Sequence, residues 1–351
     1  MANPSLLVTY EPAAKERELF RDHLGDLIRF TFIKDLDPLL REEALATASI
    51  MFAWNPAQEL HPEEFTKMKE LQFIQLVSAG ANHLPFSLIP DEVIIASNVG
   101  AFAEPMAEHV LAMVLALAKQ LFVQHAKLQL GEFDDVTPSR MLRGSVCGIL
   151  GFGGIGQASA RLLRALGAKI YGINTSGRSS EPADFIGTLK DLKYVLESSD
   201  IIVISMPLNR STKGLIGSRE LSWMKNQAIL VNVARGDIIE ERALYERLLQ
   251  YPKFMAGIES WWIEPFSHGE FRTHYPFFDL PNFLGCPHNS AKVPGMMLEA
   301  TRRALENVVS YLKQEPLKGL VRREDYVVWD SGGGRSAVYM ECKKAFWAPN
   351  L

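Results

Sequence analysis

A run of glycines between two regular patterns limits most strongly how this chain folds. An apolar strand pattern, SVCGIL (145–150), leads into GFGGIG (151–156), and a helical pattern, QASARLLRALGA, follows. In such a turn Gly151 permits a tight bend, Gly153 lets a pyrophosphate approach the backbone, and Gly156 lets helix and strand pack closely. The helix N-terminus then offers N–H groups to phosphates. We predict a dinucleotide site that includes Gly151, Gly153, Gly154, Ile155 and Gly156.

The residues after the next strand pattern, AKIYGI (168–173), indicate which dinucleotide is bound. An acidic residue about 20 positions after the glycines would bind the ribose 2′-hydroxyl of NAD. This chain has Asn174 there, followed by Thr175, Ser176, Gly177 and Arg178. No carboxylate would repel a 2′-phosphate, and hydroxyls and a guanidinium are available to bind one, which favours NADP. The alternative is that Asn174 binds the hydroxyls of NAD and Arg178 is solvated.

Strand and helix patterns alternate along the whole chain, which is typical of parallel α/β architecture. Strands are predicted at 6–10, 27–33, 49–54, 73–78 and 92–97 in a first series, and at 145–150, 168–173, 201–206, 228–233, 254–259 and 282–286 in a second. Between the two series lies a helical segment, 104–121, that is apolar on nearly every side. We expect this helix to be buried and to mark a domain boundary. The segment 331–336, SGGGRS, is predicted to be a flexible joint.

Polar residues follow three late strands of the second series. Arg235 lies in NVARGD, Glu264 in WWIEP and His288 in GCPHNS. Because the carboxyl ends of parallel strands face the ligand crevice, the three side chains are expected to converge beside the nicotinamide. Taken singly, an arginine there is more often a surface ion pair and a histidine more often structural.

Composition excludes several other classes of function. The formal charge is −4 and no block of five like charges occurs, so we expect neither a nucleic-acid partner nor a membrane partner. The chain start lacks a secretion pattern, and the longest apolar run, 110–118, is shorter than the ~20 residues of a membrane span. Three widely spaced cysteines favour a reducing compartment. We therefore expect a cytoplasmic protein, and one without a metal, since no zinc-type motif occurs.

The order of these motifs resembles the D-isomer-specific 2-hydroxyacid dehydrogenase family over residues 5–328. Seven blocks carry the resemblance: VSAGANHL (77–84), AEHVLAMVLALAK (107–119), GILGFGGIGQ (148–157), DIIVISMPLNRSTKGLIG (200–217), MKNQAILVNVARGDII (224–239), AGIESWWIEP (256–265) and LPNFLGCPH (280–288). The resemblance implies two Rossmann-like doubly wound parallel-sheet domains, with the coenzyme domain inserted into a flavodoxin-like substrate domain. It implies a substrate domain at 1–100 and 290–328, a dinucleotide domain at 101–289, and a tail at 329–351. It also implies a homodimer built around the 104–121 helix.

The resemblance also implies roles for individual side chains. Arg235 would hold the carboxylate and 2-oxo oxygen of a small 2-oxo acid, and His288 would donate a proton to that oxygen as hydride arrives. Glu264 would favour the protonated imidazole. Backbone N–H groups around Ala79 and Gly80 would form a second anchor for the carboxylate.

Further cofactor contacts are implied at Pro207, Val233, Ala234, Glu259 and His288. At the position of Glu259 the family usually has an aspartate, whose carboxylate binds the nicotinamide amide. This chain keeps the carboxylate there, but on a longer side chain.

Two segments bear on the choice of substrate. FAWNP (52–56) resembles the substrate loop of the glyoxylate/hydroxypyruvate reductase branch, which makes Trp54 either a pocket wall or a core residue. The aromatic insertion at 267–278 either lines the substrate mouth or forms a surface loop or subunit contact. After His288 the chain continues Asn-Ser-Ala-Lys, where the family commonly has small apolar residues and a glycine.

The sequence therefore predicts an NADP-preferring or NAD-dependent dehydrogenase that interconverts a small 2-oxo acid, such as glyoxylate or hydroxypyruvate, and its D-2-hydroxy acid. Two alternatives stay open: phosphite dehydrogenase, which keeps the Arg-Glu-His set, and a dinucleotide-sensing corepressor-like binding protein. Glu264 argues against a formate dehydrogenase, which resembles this family but carries a glutamine at that position.

Overall fold

The computed structural model describes residues 4–329 and 335–337. The chain forms two compact units. The described residues up to Phe102, together with those from Pro294 onward, make the first, and Ala103–Val293 make the second. Each unit is built on a parallel sheet flanked by helices, which confirms the predicted α/β fold class.

The first unit begins with five strands and four helices. In chain order they are β1 (Ser5–Val8), α1 (Ala14–Leu24), β2 (Arg29–Phe32), α2 (Pro38–Thr47), β3 (Ile50–Ala53), α3 (Pro56–Glu59), α4 (Pro62–Lys67), β4 (Phe73–Leu76) and β5 (Ile94–Ala96). The strands form a parallel sheet in the order β2-β1-β3-β4-β5. This is the flavodoxin-like doubly wound order. Every residue of β3 and β4 is buried, as expected for central strands covered on both faces.

The second unit contains seven strands and seven helices within Ala103–Val293. They are α5 (Ala103–Ala118), α6 (Leu121–Gln129), β6 (Val146–Leu150), α7 (Gly154–Ala165), β7 (Lys169–Ile173), β8 (Phe185–Gly187), α8 (Leu192–Ser198), β9 (Ile201–Ile204), α9 (Ser218–Trp223), β10 (Ile229–Asn232), α10 (Glu241–Gln250), β11 (Met255–Ile258), α11 (Pro265–His268) and β12 (Phe283–Gly285). The parallel sheet has the order β12-β11-β10-β9-β6-β7-β8. Strand order reverses between β6 and β9, the place where doubly wound sheets bind their ligand.

The predicted count of six strands in this sheet was wrong by one, because no residue pattern marks β8. That strand has only three residues, and it pairs with β7 at the edge of the sheet. Its sequence, Phe-Ile-Gly, stands between the polar segments EPAD and TLKD, so no apolar run marks it.

Helix α5 packs closely on the second sheet. A Cβ atom on Gly257, in β11, would lie 2.8 Å from Met113 Cε and 3.1 Å from Leu117 Cδ1, so the absence of a side chain there allows the approach. The predicted helix 104–121 was wrong at its C-terminal end, because α5 stops at Ala118. Gln120 takes a left-handed conformation, with φ of 52°, and α6 starts afresh after it. Taken together, α5 and α6 have the length and composition of a membrane span, but the pair is bent by 55°. No single helix in the described part of the chain is long and apolar enough to cross a membrane.

The last described segment returns to the first unit. It contains α12 (Met296–Leu312), β13 (Val327–Trp329) and β14 (Arg335–Ala337), the last two paired antiparallel. Asn98 Nδ2 donates to the carbonyl of Ala300 at 2.8 Å, and the N–H of Ser97 donates to the carbonyl of Gly319. These bonds join the two ends of the chain in one unit. The joint at 331–336 and the tail at 329–351 lie outside the described residues, except for Trp329 and 335–337.

Candidate active site

The glycine turn connects β6 to α7 and leaves room for a ligand. Gly151 has φ of 104°, and a Cβ there would lie 2.3 Å from the backbone N of Met206. A Cβ on Gly156 would lie 2.3 Å from the carbonyl oxygen of Gly151. At Gly153, directly before α7, no atom lies within 4 Å of an added Cβ. The turn is thus closed where the chain packs against itself and open at the helix N-terminus, an arrangement that fits a pyrophosphate.

The loop after β7 is organised by Asn174. Its Oδ1 accepts hydrogen bonds from the N–H groups of Ser176 and Gly177, at 3.1 and 2.8 Å, and from the Ser176 hydroxyl. Its Nδ2 donates to the carbonyl of Arg178 at 2.8 Å. The amide of Asn174 is therefore used inside the loop, whereas the side chains of Thr175 and Arg178 are exposed.

Arg235, Glu264 and His288 follow the carboxyl ends of β10, β11 and β12 respectively. Buried Asn232 shapes the turn before Arg235, because its Oδ1 accepts from the Ala234 N–H and its Nδ2 donates to the Arg235 carbonyl. The half-buried Arg235 guanidinium donates to the Ala234 carbonyl at 2.7 Å. Its charge also acts on Glu264. Sequence reasoning missed Asn232, although an asparagine at a strand end often signals such a turn.

His288 and Glu264 form a close pair. Nδ1 of His288 lies 3.0 Å from Oε1 and 2.9 Å from Oε2 of Glu264. The glutamate side chain is 7% exposed and the imidazole 32% exposed. Burial raises the pKa of the Glu264 carboxyl, but the hydrogen bond and charge of His288, the Trp261 N–H and the charge of Arg235 outweigh it, so the pKa falls below 4.5. The pair therefore favours an ionised carboxylate beside the ring.

Glu259, at the end of β11, is completely buried. Its Oε1 accepts a hydrogen bond from the N–H of Ser290 at 2.9 Å, and its Oε2 accepts from the Ser260 hydroxyl at 3.1 Å. Its backbone carbonyl accepts from the N–H of His288 at 3.0 Å. Ser290 was not among the predicted site residues, and no sequence motif marks it.

The other predicted contacts lie in both units. Val233 and Ala234 are buried after β10, and Pro207 is exposed after β9. In the first unit, Trp54 stands edge-on to Phe102 with ring centroids 6.0 Å apart. Partly exposed Ala79 and Gly80 follow β4 in the same unit.

Trp54 is held in place by Glu59, which sequence reasoning also missed. Glu59 Oε1 accepts from the Trp54 N–H at 3.2 Å. Burial raises the pKa of Glu59, which the hydrogen bonds from Thr9, Asn55 and Trp54 oppose.

The insertion at 267–278 is anchored on the second unit. The N–H and Nδ1 of His274 bind the two carboxylate oxygens of Glu241, at 2.8 and 2.6 Å. Phe271 and Phe278 pack around Trp261, with centroids 5.0 and 5.5 Å from it, and are themselves about half exposed. Trp261 in turn donates from Nε1 to the Cys286 carbonyl at 2.8 Å. Within the described ranges, no group of three or more His, Cys, Asp or Glu side chains is placed to hold a metal ion.

Comparison with known proteins identifies the class. Residues 111–290, just over half of the chain, match the model for the NAD-binding domain of D-isomer-specific 2-hydroxyacid dehydrogenases. A hydroxypyruvate reductase from Thermotoga maritima is 28% identical over 86% of this chain and 92% of its own length. A glyoxylate reductase from Thermococcus gammatolerans is 32% identical over 52% of each chain.

Comparison with solved structures supports the same family. A solved D-isomer-specific 2-hydroxyacid dehydrogenase family protein from Aeromonas salmonicida superposes with a TM-score of 0.75 at 25% identity, over 92% of this chain and 99% of its own. The fold, the match to the NAD-binding domain and the names of these relatives support an oxidoreductase. The chain belongs to the D-isomer-specific 2-hydroxyacid dehydrogenase family.

Proposed function

We propose that the protein interconverts a small 2-oxo acid, of the size of glyoxylate or hydroxypyruvate, and its D-2-hydroxy acid, using NADP(H) in preference to NAD(H). The observation that carries the proposal is the contact of His288 Nδ1 with both carboxylate oxygens of Glu264. An imidazole held in this way is oriented for proton transfer. The names of the similar reductases from Thermotoga and Thermococcus support the substrate class.

Each side chain has a defined task in this reaction. A nicotinamide, when bound, would supply the hydride in reduction and accept it in oxidation. Because Nδ1 of His288 faces Glu264, Nε2 is the ring atom that gives its proton to the 2-oxo oxygen in reduction and takes it back in oxidation. The Glu264 carboxylate fixes the orientation of the ring through its contact with Nδ1. The Arg235 guanidinium offers paired donors to the substrate carboxylate and polarises the carbonyl.

The preference for NADP rests on the loop after β7. Residues 174–178 contain no carboxylate, so nothing in them repels a 2′-phosphate. The Asn174 amide is already bonded within the loop, which leaves it poorly placed to bind the hydroxyls of NAD. The exposed Arg178 guanidinium makes no ion pair within the described residues and is available to a phosphate.

The exposed apolar side chains after α6 support a homodimer. Leu130, Phe133, Val136 and Met141 are 70–84% exposed. A concentration of large, exposed apolar side chains in one segment is typical of protein interfaces. The resemblance implied an interface built around the 104–121 helix. The apolar face of α5, however, packs against the sheet of its own unit. The segment 121–141 is the better candidate.

The function is tested with a panel of acids (glyoxylate, hydroxypyruvate, pyruvate, phenylpyruvate and branched analogues), each assayed with NADPH and NADH. We expect the highest kcat/KM with a two- or three-carbon acid and NADPH. The variant His288→Asn should lower kcat by about 10²- to 10⁴-fold while dinucleotide affinity is kept.

Two results would contradict the proposal. Tight dinucleotide binding with no turnover of any acid would indicate a binding protein that senses the dinucleotide. Unchanged turnover in His288→Asn would show that the imidazole does not transfer the proton. His23→Asn, in α1, where Nδ1 contacts the Leu19 carbonyl one turn earlier in the same helix, is the matched control and should retain activity.

A further inference from the structure

The backbone at His288 has an unusual conformation that its surroundings must hold. His288 has φ of 48°, in the left-handed region that residues other than glycine seldom adopt. Such a conformation is maintained only when neighbouring contacts determine it. The direction of the imidazole toward Glu264 depends on this turn, because the side chain leaves from the same Cα.

Glu259 contacts the turn at two points. Its backbone carbonyl accepts the N–H of His288 at 3.0 Å, and its Oε1 accepts the N–H of Ser290 at 2.9 Å. The first contact is made by the left-handed residue itself and the second by the residue two positions after it. The backbone of Cys286, just before the turn, is also bound, since its N–H donates to the Ile258 carbonyl at 2.8 Å.

Burying the Glu259 carboxylate costs free energy unless its oxygens accept hydrogen bonds. The residue is 0% exposed, and no ion pair to it occurs within residues 4–329. A buried carboxylate needs strong hydrogen bonds to be tolerated. Both of its oxygens have one, from Ser290 and from Ser260. The position of these donors requires the length of a glutamate side chain, because an aspartate carboxylate would stop about 1.5 Å shorter.

We propose that Glu259 is a positioning residue for His288: its side chain holds the 288–290 turn and thereby sets the direction of the imidazole. The family resemblance assigns an acidic residue at this point to the nicotinamide amide. In this chain the carboxylate is directed to the Ser290 N–H. The proposal rests on the proposed function for its kinetic consequences, but the contact with the turn is independent of the substrate.

Two variants distinguish the effect of the length of the Glu259 side chain from the effect of its charge. Glu259→Gln keeps the length: the amide oxygen accepts from Ser290 and the amide nitrogen donates to the Ser260 hydroxyl. We expect a kcat within about fivefold of the wild type. Glu259→Asp keeps the charge but loses the reach, and we expect kcat to fall about 10- to 100-fold, since a misplacement near 1 Å has that effect. Dinucleotide Kd, from tryptophan quenching, should stay within about twofold in both variants.

Hydrogen exchange tests the same contact without turnover. Amides of residues 287–293, followed by mass spectrometry of the full chain, should exchange about tenfold faster or more in Glu259→Asp than in the wild type. They should be unchanged in Glu270→Asp, the same shortening at an exposed carboxylate. A wild-type protein that turns over no acid would defeat the proposed function and leave this exchange measurement decisive for Glu259.

Three results would overturn the role of Glu259. The first is a Glu259→Asp variant as active as the wild type, which is what a nicotinamide contact filled by aspartate predicts. The second is a loss of dinucleotide affinity in parallel with kcat, which would place the carboxylate on the cofactor. The third is an unchanged exchange rate at 287–293 in Glu259→Asp.

Discussion

Replacing Glu264 by glutamine removes one negative charge beside the proposed proton donor and leaves the shape of the side chain. Oε2 of Glu264 lies 2.9 Å from His288 Nδ1, within the range of a charge-assisted hydrogen bond, and Oε1 lies 3.0 Å from it. Such bonds contribute about 1.5–3 kcal/mol. Because the imidazole is 32% exposed, solvent screens part of the interaction, and we take the lower end, about 1.5–2 kcal/mol. The expected loss in kcat/KM for reduction at pH 7 is therefore about 10- to 30-fold.

The pH dependence of this loss in kcat/KM follows from the direction in which the pKa of Glu264 is shifted. The folded-state pKa of Glu264 is lowered below 4.5, so the carboxylate stays ionised as the pH falls through the ordinary carboxyl range. The advantage of the wild type over Glu264→Gln is thus fully present at pH 5 and above. It is lost only as the pH falls through the lowered pKa, where the wild-type carboxyl takes up its proton and resembles the amide.

The assay is steady-state reduction of the best acid of the panel, followed by NADPH absorbance between pH 4 and 8. Glu42→Gln, in α2 at a carboxylate 64% exposed, is the matched control and should behave as the wild type. Thermal unfolding verifies that Glu264→Gln is folded. A kcat/KM within threefold of the wild type at pH 7, or a loss that already disappears between pH 8 and pH 5, would refute the reasoning.

Three further predictions concern the glycine turn, the cofactor loop and the exposed apolar segment. Gly151→Ala should lower the free energy of unfolding by about 2–5 kcal/mol in urea titration, because it combines a left-handed φ with a clash at Met206, whereas Gly153→Ala should unfold like the wild type. Arg178→Gln should lower kcat/KM for NADPH about 10- to 100-fold and leave NADH unaffected; equal losses with both would contradict the 2′-phosphate contact. Light scattering should show a dimer that Phe133→Ser shifts toward monomer, and a monomeric wild type would refute the interface.

The sequence was sufficient for the fold because the signals it contains are local. Strands with several consecutive apolar residues, such as β6 and β9, are recognisable from their residues alone. The separate tasks of Gly151 and Gly156 follow from their place between strand and helix, and the backbone atoms they would clash with are those that such a turn brings close. Parallel topology then places Arg235, Glu264 and His288 after neighbouring strands.

Sequence reasoning failed where the relevant contact joins distant residues or depends on one dihedral angle. The left-handed Gln120 that ends α5 has no glycine to signal it. The bond from Ser290 to Glu259 spans 31 positions, and a serine after a histidine has no distinguishing pattern. Glu59 supports the backbone of Trp54 through its side chain, which only the packing of the first unit shows.

The closure of the first unit by the C-terminal segment has a consequence for how the protein is made. The bonds from Asn98 to Ala300 and from Asn307 to Gln75 span 202 and 232 positions of the chain. At a synthesis rate of about 5–20 residues per second, a strand of the first sheet waits about 10–40 s for the helix that covers it. The second unit, contiguous from Ala103 to Val293, needs no such delay and can complete as it emerges. The part of the protein synthesised first is therefore the last to finish folding, and until then its apolar sheet face is open to chaperones and to aggregation.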